Sequence, residues 1–167
     1  ESTGSAYMLG LDVLADIPIR VESSFGSQNL AGEGPVVVAA IGAVLGAITI
    51  IAVCVTFARL LVRWPHQGGR LFVSAAATTL TVALVTAKVL SPQFLVWLVP
   101  AVLLVSGRYG RLAFAAAIGA VLTTQLYFPV RYWDLVALET GPIVLLVIRD
   151  TVLILLAAAA WPRQTED

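Results

Sequence analysis

From Val36 to Ala58 the chain carries no charged side chain, with Gly34-Pro35 ahead of the run and Arg59, Arg63 and Arg70 behind it. A bilayer core about 30 Å thick takes about 20 apolar residues in a helix, a length that a short core helix of a soluble protein does not need. This run is read as a membrane-spanning helix, and lipid becomes the solvent in which the rest of the chain must fold. Composition agrees, since 59% of the 167 residues are hydrophobic and 12% charged, far from the roughly half-apolar, quarter-charged mixture of soluble domains.

The same criterion finds apolar stretches at 71–90, 91–106, 112–130 and 142–161. The expected fold class is therefore all-α, a polytopic membrane bundle of about five helices over 36–161. The third stretch is apolar only over 94–106. It either takes in Ser91-Pro92-Gln93, or crosses a thin region with little tilt, or enters and re-exits as a broken element lining a cavity. Residues 1–35 hold Glu1, Asp12, Asp16, Arg20, Glu22 and Glu33 among Ser and Gly and cannot span. They are expected as an outer loop or interfacial segment, with a short helix over Tyr7–Leu14, an extended piece over Ile17–Val21 and a loop from Ser23 to Pro35. Residues 162–167 form a tail. With Glu1 first and no charged region followed by a short apolar core before residue 35, the chain reads as the C-terminal part of something larger.

Cytoplasmic loops retain Lys and Arg. The clusters Arg59/Arg63/Arg70 and Arg108/Arg111, and Arg163 in the tail, fall on one side if the N-terminal segment is outside and the C-terminus cytoplasmic. Arg20 and Arg131 then lie outside, with Lys88 near them. Trp64, Tyr127, Tyr132, Trp133 and Trp161 sit at span edges, as an aromatic belt does. Lys88 is the single lysine among mostly Arg basic positions, and Ala and Val are frequent, a bias that suggests a high-GC bacterial genome, and the membrane is expected to be a bacterial plasma membrane. Ten basic and ten acidic residues cancel, so no field favours nucleic acid. Cys54 is the sole cysteine and reads as a packing residue buried in lipid, and His66 has no second His or Cys at ligand spacing. No metal or cofactor is called for, and no Walker loop, G-x-S-x-G elbow or H-E-x-x-H motif is present.

Within the spans, Ser74, Thr78, Thr81 and Lys88 share one helical face through 71–90. The hydroxyls read first as glue between helices, while Lys88 either snorkels to the interface or offers an ammonium to a lipid phosphate. Arg149 and Asp150 lie inside the last apolar run, where an unpaired charge costs ~2.5–3.5 kcal/mol or more. Neighbours on a helix point about 100° apart, so each is expected to find its partner on another span. The alternatives are a structural buried pair and a phosphate-binding Arg149 in a wet cavity. Gly42 and Gly46 make a G-x-x-x-G that permits close helix approach.

Lys88-Val89-Leu90-Ser91-Pro92-Gln93-Phe94-Leu95-Val96-Trp97-Leu98-Val99-Pro100 resembles the K-x-x-S-P-Q-[YF]-x-x-W-L-x-P signature of bacterial membrane glycosyltransferases of family 87, which includes many actinobacterial membrane proteins. Ser91, Pro92, Trp97 and Pro100 carry the motif. Glu1-Ser2 with Gly4-Ser5 is similar to the end of that family's R-x-L-Q-x-E-S region, and Val147-Ile148-Arg149-Asp150 resembles its late L-R-N stretch, with Asp150 where Asn is commoner. The resemblance implies a C-type glycosyltransferase-like bundle. It implies transfer of a hexose, typically mannose, from a polyprenyl-phosphate donor to a lipid or glycan acceptor on the outer face, without a nucleotide sugar. The catalytic acid is then expected upstream of Glu1, in the preceding part of the same protein. Lys88, Gln93, Arg131 and Arg149 are the candidates for binding the donor phosphate. The alternative readings are a transporter or flippase-like protein, for which no paired half-repeat is seen, and a noncatalytic polytopic protein. On expression the chain is expected in the membrane fraction, requiring detergent for release; recovery as a soluble monomer without detergent would overturn the membrane reading.

Overall fold

The computed structural model describes residues 2–15, 21–24 and 27–164. Helix α1 (Thr3–Ala15) precedes an antiparallel hairpin of β1 (Val21–Ser24) and β2 (Ser27–Leu30), in which Val21 faces Leu30. The long helix α2 (Glu33–Arg63) follows, then a 3-10 turn at Pro65–Gln67 and α3 (Gly68–Val85). A 3-10 helix at Pro92–Trp97 runs directly into α4 (Leu98–Leu103). After it come α5 (Gly107–Tyr127), the short α6 (Tyr132–Val136) and α7 (Thr140–Ala160).

Among the described residues, three helical stretches are long and apolar enough to cross a membrane: Glu33–Arg63, Pro65–Val85 and Thr140–Ala160. The remaining two stretches read as spans take other forms. Pro92–Leu103 is a shorter apolar element, and α5 carries Arg108, Arg111, Thr123, Thr124 and Gln125 along an otherwise apolar helix. Along α2, Val44, Leu45, Ile48 and Ile51 are all more than half exposed. An apolar face of this extent suits lipid contact and not water. Cys54 lies on that exposed surface, so lipid and not protein would bury its thiol.

Direction follows from contacts. Gly4 of α1 meets Val38, and Met8 approaches Gly34, so α1 runs antiparallel to α2. Tyr7 bonds Thr151 and Gly10 meets Val147, so α1 is antiparallel to α7 as well. The three elements therefore lie alongside one another, with Ala6 and Leu9 buried. The short helix expected over Tyr7–Leu14 forms as α1, packed lengthwise against two long helices. The expected loop 23–35 contains most of the hairpin and the first turn of α2, while Asp16 to Arg20, including most of the expected extended piece, lie outside the described residues.

The second apolar stretch also departs from expectation. Helix α3 ends at Val85, not near 90, and Ser91 is extended (φ −71, ψ 140) before Pro92. A residue preceding proline is sterically pushed out of the α region, and the proline has no N–H to continue a helix. Lys88 consequently sits in the turn after α3, and the polar face of Ser74, Thr78 and Thr81 does not extend to it. Thr81 donates to the Ala77 carbonyl at 2.7 Å, as expected of a hydroxyl satisfied one turn back.

Two apolar cores organise the bundle. One joins α3, the 3-10 helix, α4, α5 and α7 around Leu84, Leu98, Leu153 and Leu156, and the other joins α1, α5, α6 and α7 around Leu9, Tyr127, Ile143 and Leu146. The glycines of the G-x-x-x-G divide their roles. A Cβ on Gly46 would come within 2.8 Å of Thr86 Cβ, whereas one on Gly42 would meet nothing within 4 Å. Gly46→Ala is therefore expected to destabilise the detergent-solubilised protein by about 1–3 kcal/mol through overpacking. Gly42→Ala is expected to stabilise it by roughly 0.5–1 kcal/mol through helix propensity. Thermal unfolding of both variants checks the opposite signs.

Candidate functional site

Between α1, α2, the end of α3 and α7 lies an apolar groove of about 520 Å³, within the range of small-molecule and lipid sites. Its walls come from Val38, Ile41, Leu45, Val85, Ile154 and Ala157. Small residues open it: Gly42 has no neighbour where a side chain would stand, and Ala158 lines the opposite side. Lys88 reaches the groove from the turn after α3, and it also lines a second, small cavity of about 60 Å³ beside Ser5, Asn29 and Tyr132.

Several hydroxyls border the groove, but most of their protons are engaged. Thr86 donates to the Val82 carbonyl and Thr49 to the Leu45 carbonyl, each at 2.7 Å, and Tyr7 and Thr151 hydroxyls share a bond of 2.9 Å. Thr86 and Thr49 therefore offer accepting lone pairs and not donors. Among the described residues Lys88 is the one charged side chain lining the groove, so the positive charge there comes from it.

Arg149 and Asp150 form a different kind of site. Both are fully buried. Arg149 Nε donates to Asp150 Oδ1 at 2.7 Å, and Arg149 Nη1 donates to the Tyr127 hydroxyl on α5 at 2.5 Å. Arg149 thus finds a partner on another helix, as expected, and in addition its long side chain folds back over its short neighbour, although the two Cβ atoms diverge. Tyr127 supplies the interhelical partner, and its ring centroid lies 5.8 Å from the guanidinium carbon. Arg149 does not line the groove.

Contacts place the two cations relative to α2. Thr151, beside the buried pair, bonds Tyr7, whose neighbour Met8 lies against Gly34 at the start of α2. The turn that carries Lys88 instead has Thr86 against Gly46. Gly34 and Gly46 are about 18 Å apart along a helix with a 1.5 Å rise. Arg149 and Asp150 thus lie level with the beginning of α2, and Lys88, whose turn starts beside Gly46, reaches back to the small cavity it shares with Ser5, Tyr132 and Leu146.

The other candidates are dispersed. Arg131 bonds Asp134 at 3.0 Å and Glu139 at 3.5 Å, and its guanidinium lies beside Gly141 at the start of α7. With two carboxylates on one guanidinium, the local charge is already offset. Gln93 is exposed on the 3-10 helix. Of the motif residues, Ser91 and Pro92 open that helix, Trp97 is exposed and stacks near Phe94 with ring centroids 4.9 Å apart, and Pro100 lies exposed in α4. Among the described residues no group of three or more His, Cys, Asp or Glu side chains gathers at one point.

Of the four candidates for the donor phosphate, only Lys88 lines the groove; Gln93, Arg131 and Arg149 do not. Sequence reasoning missed Thr86, Thr49 and Tyr7, because the groove exists only once three helices and α1 are set together. Gly42 was the available signal, as a small residue one turn from the Gly46 contact. The chain matches no family model, no curated protein and no solved structure.

Asp150→Ala would take the carboxylate from the Nε of a sealed guanidinium, and a loss of about 3–5 kcal/mol is expected from breaking such a pair. Replacing both members, Arg149→Met with Asp150→Leu, is expected to cost less than Asp150→Ala alone. Unfolding midpoints of the single and double variants in one detergent decide the order; a double variant weaker than the single would refute the assignment of the pair as structural.

Proposed function

We propose that this chain forms the lipid-donor side of a membrane glycosyltransferase resembling family 87, which moves a hexose, mannose by that resemblance, from a polyprenyl phosphate to a lipid or glycan acceptor. In this reading the bundle is C-type-like, crosses a bacterial plasma membrane about five times, and keeps the segment before α2 outside and its C-terminus in the cytoplasm. The broken Pro92–Leu103 element and α5 complete the crossings.

The observation that carries the reading is the position of Lys88. It lies in the Lys-x-x-Ser-Pro-Gln turn and opens onto an apolar groove between long apolar helices. An isoprenoid chain suits the aliphatic walls, and a phosphate suits a single ammonium with no competing carboxylate among the described residues that line the groove. In an apolar setting that ammonium interacts with an anion far more strongly than in water.

Transfer breaks the bond between the sugar anomeric carbon and the phosphate oxygen, while the acceptor hydroxyl attacks that carbon and gives its proton to a base. By the resemblance the base is an acidic residue upstream of Glu1. Lys88 would stabilise the charge that collects on the departing polyprenyl phosphate. Arg131 and Arg149, already held by carboxylates, are assigned to the scaffold in this reading.

Lys88→Ala in the full-length protein is expected to lower sugar transfer from a polyprenyl-phosphate donor by about 10²-fold, the scale for loss of one group stabilising a developing anion. Lys88→Arg should retain part of the activity. Unchanged turnover of the alanine variant at normal expression would eliminate the assignment.

A further inference from the structure

A cavity of about 470 Å³ lies at the turn between α4 and α5, at the opposite end of α5 from the Arg149 cluster. Two arginines line it, Arg108 and Arg111, together with Leu103 and Phe114. Both arginines are exposed, and neither has an ion-pair or hydrogen-bond partner among the described residues. The neighbouring Arg163 is occupied differently: it donates to the Ala158 and Trp161 carbonyls at the end of α7 and stacks over Tyr109 with its guanidinium carbon 3.9 Å from the ring centroid.

The backbone fixes this turn. Gly107 has φ 78, a left-handed conformation that side chains disfavour. A Cβ on Gly110 would come within 2.6 Å of the Val105 carbonyl carbon. The Ser-Gly-Arg-Tyr-Gly-Arg segment therefore closes tightly on the end of α4 and presents two guanidinium groups from one turn of helix. They do not serve the helix itself, because cations in a first turn oppose its dipole. Leu103, Leu104 and Phe114 remain 59%, 65% and 42% exposed around them, an apolar surface directly beside a doubly positive one.

We infer that this cavity binds the headgroup of an anionic glycerophospholipid, with the phosphate on Arg108 and Arg111 and the acyl chains along Leu103, Leu104 and Phe114. A phosphodiester matches the forked guanidinium donors, and basic pockets between membrane helices are suited to such headgroups. The inference needs only that the bundle sits in a bilayer. It does not depend on a sugar donor or on Lys88.

Orientation signals also place arginines at span ends, so the test compares two pairs of equal charge. The detergent-solubilised full-length protein is stripped of lipid and titrated with phosphatidylglycerol or phosphatidylcholine, with retained lipid read by native mass spectrometry. Arg108→Ala with Arg111→Ala is expected to weaken phosphatidylglycerol binding about thirtyfold, on the scale of two basic residues near an anionic lipid. The same double variant should leave phosphatidylcholine unaffected. Arg59→Ala with Arg63→Ala, which removes equal charge from the exposed end of α2, is expected to change binding less than about twofold in the same terms. Equal losses in the two double variants, or no loss in the first, would overturn the site. Displacement of the bound lipid by excess inorganic phosphate would overturn the lipid as its occupant.

Discussion

A guanidinium sealed from solvent by the carboxylate of the next residue and by a tyrosine on the neighbouring helix holds α7 in place. Without Asp150, Arg149 would lose the carboxylate on its Nε; without Tyr127, the pair would lose its hydrogen bond to α5. Ionic pairs of this kind are weak contributors in net terms, because desolvation offsets most of their attraction. Their effect is on specificity: a one-residue rotation of α7 would take Arg149 from its partners and expose its charge to lipid. The α5–α7 pair is the most extensive helix contact among the described residues, and α1, α3 and α6 also pack on α7. The register of α7 thus sets where those elements can sit.

The groove follows from that register. Helix α1 is fixed to α7 through Tyr7 and Thr151 and to α2 through Gly4 and Gly34. Helix α3 is fixed to α2 lower down, through Gly46 and Thr86. Between these two contacts Gly42 of α2 faces open space. An unfilled length between two tight contacts is a physical reason for a groove at this place, and the turn that follows α3 brings Lys88 into it.

Much of the helical architecture was legible in sequence because charge is so costly in hydrocarbon that segments surrounded by lipid stay free of it over their whole length. The α2 apolar run is the clearest example. Less was legible where a local signal competes with apolarity. Pro92 and the extended Ser91 end the second helical segment early, yet 71–90 is apolar throughout apart from Lys88 and a few hydroxyl side chains. The hairpin at 21–30 was unreadable because its strands, Val-Glu-Ser-Ser and Ser-Gln-Asn-Leu, lack the alternation that marks a half-buried strand. The packing of α1 depends on Gly4 and Gly10 meeting Val38 and Val147, contacts between residues far apart in the chain. At the candidate site, Lys88 and its motif were visible, but the groove it lines was not, because a groove is a relation between helices.

The zero net charge conceals a division among the basic side chains. Arg149 and Arg131 have carboxylates against them, on Asp150 and on Asp134 and Glu139, and Arg163 is occupied by helix-end carbonyls. Lys88, Arg108 and Arg111 have no acidic partner among the described residues, and each lines a cavity with apolar walls. A cation already paired can give little to an incoming anion without losing its partner, whereas one facing a cavity has only its hydration to lose. The same physical difference that makes Arg149 a fixed part of the scaffold makes Lys88 and the Arg108–Arg111 pair the positions where an outside anion gains most.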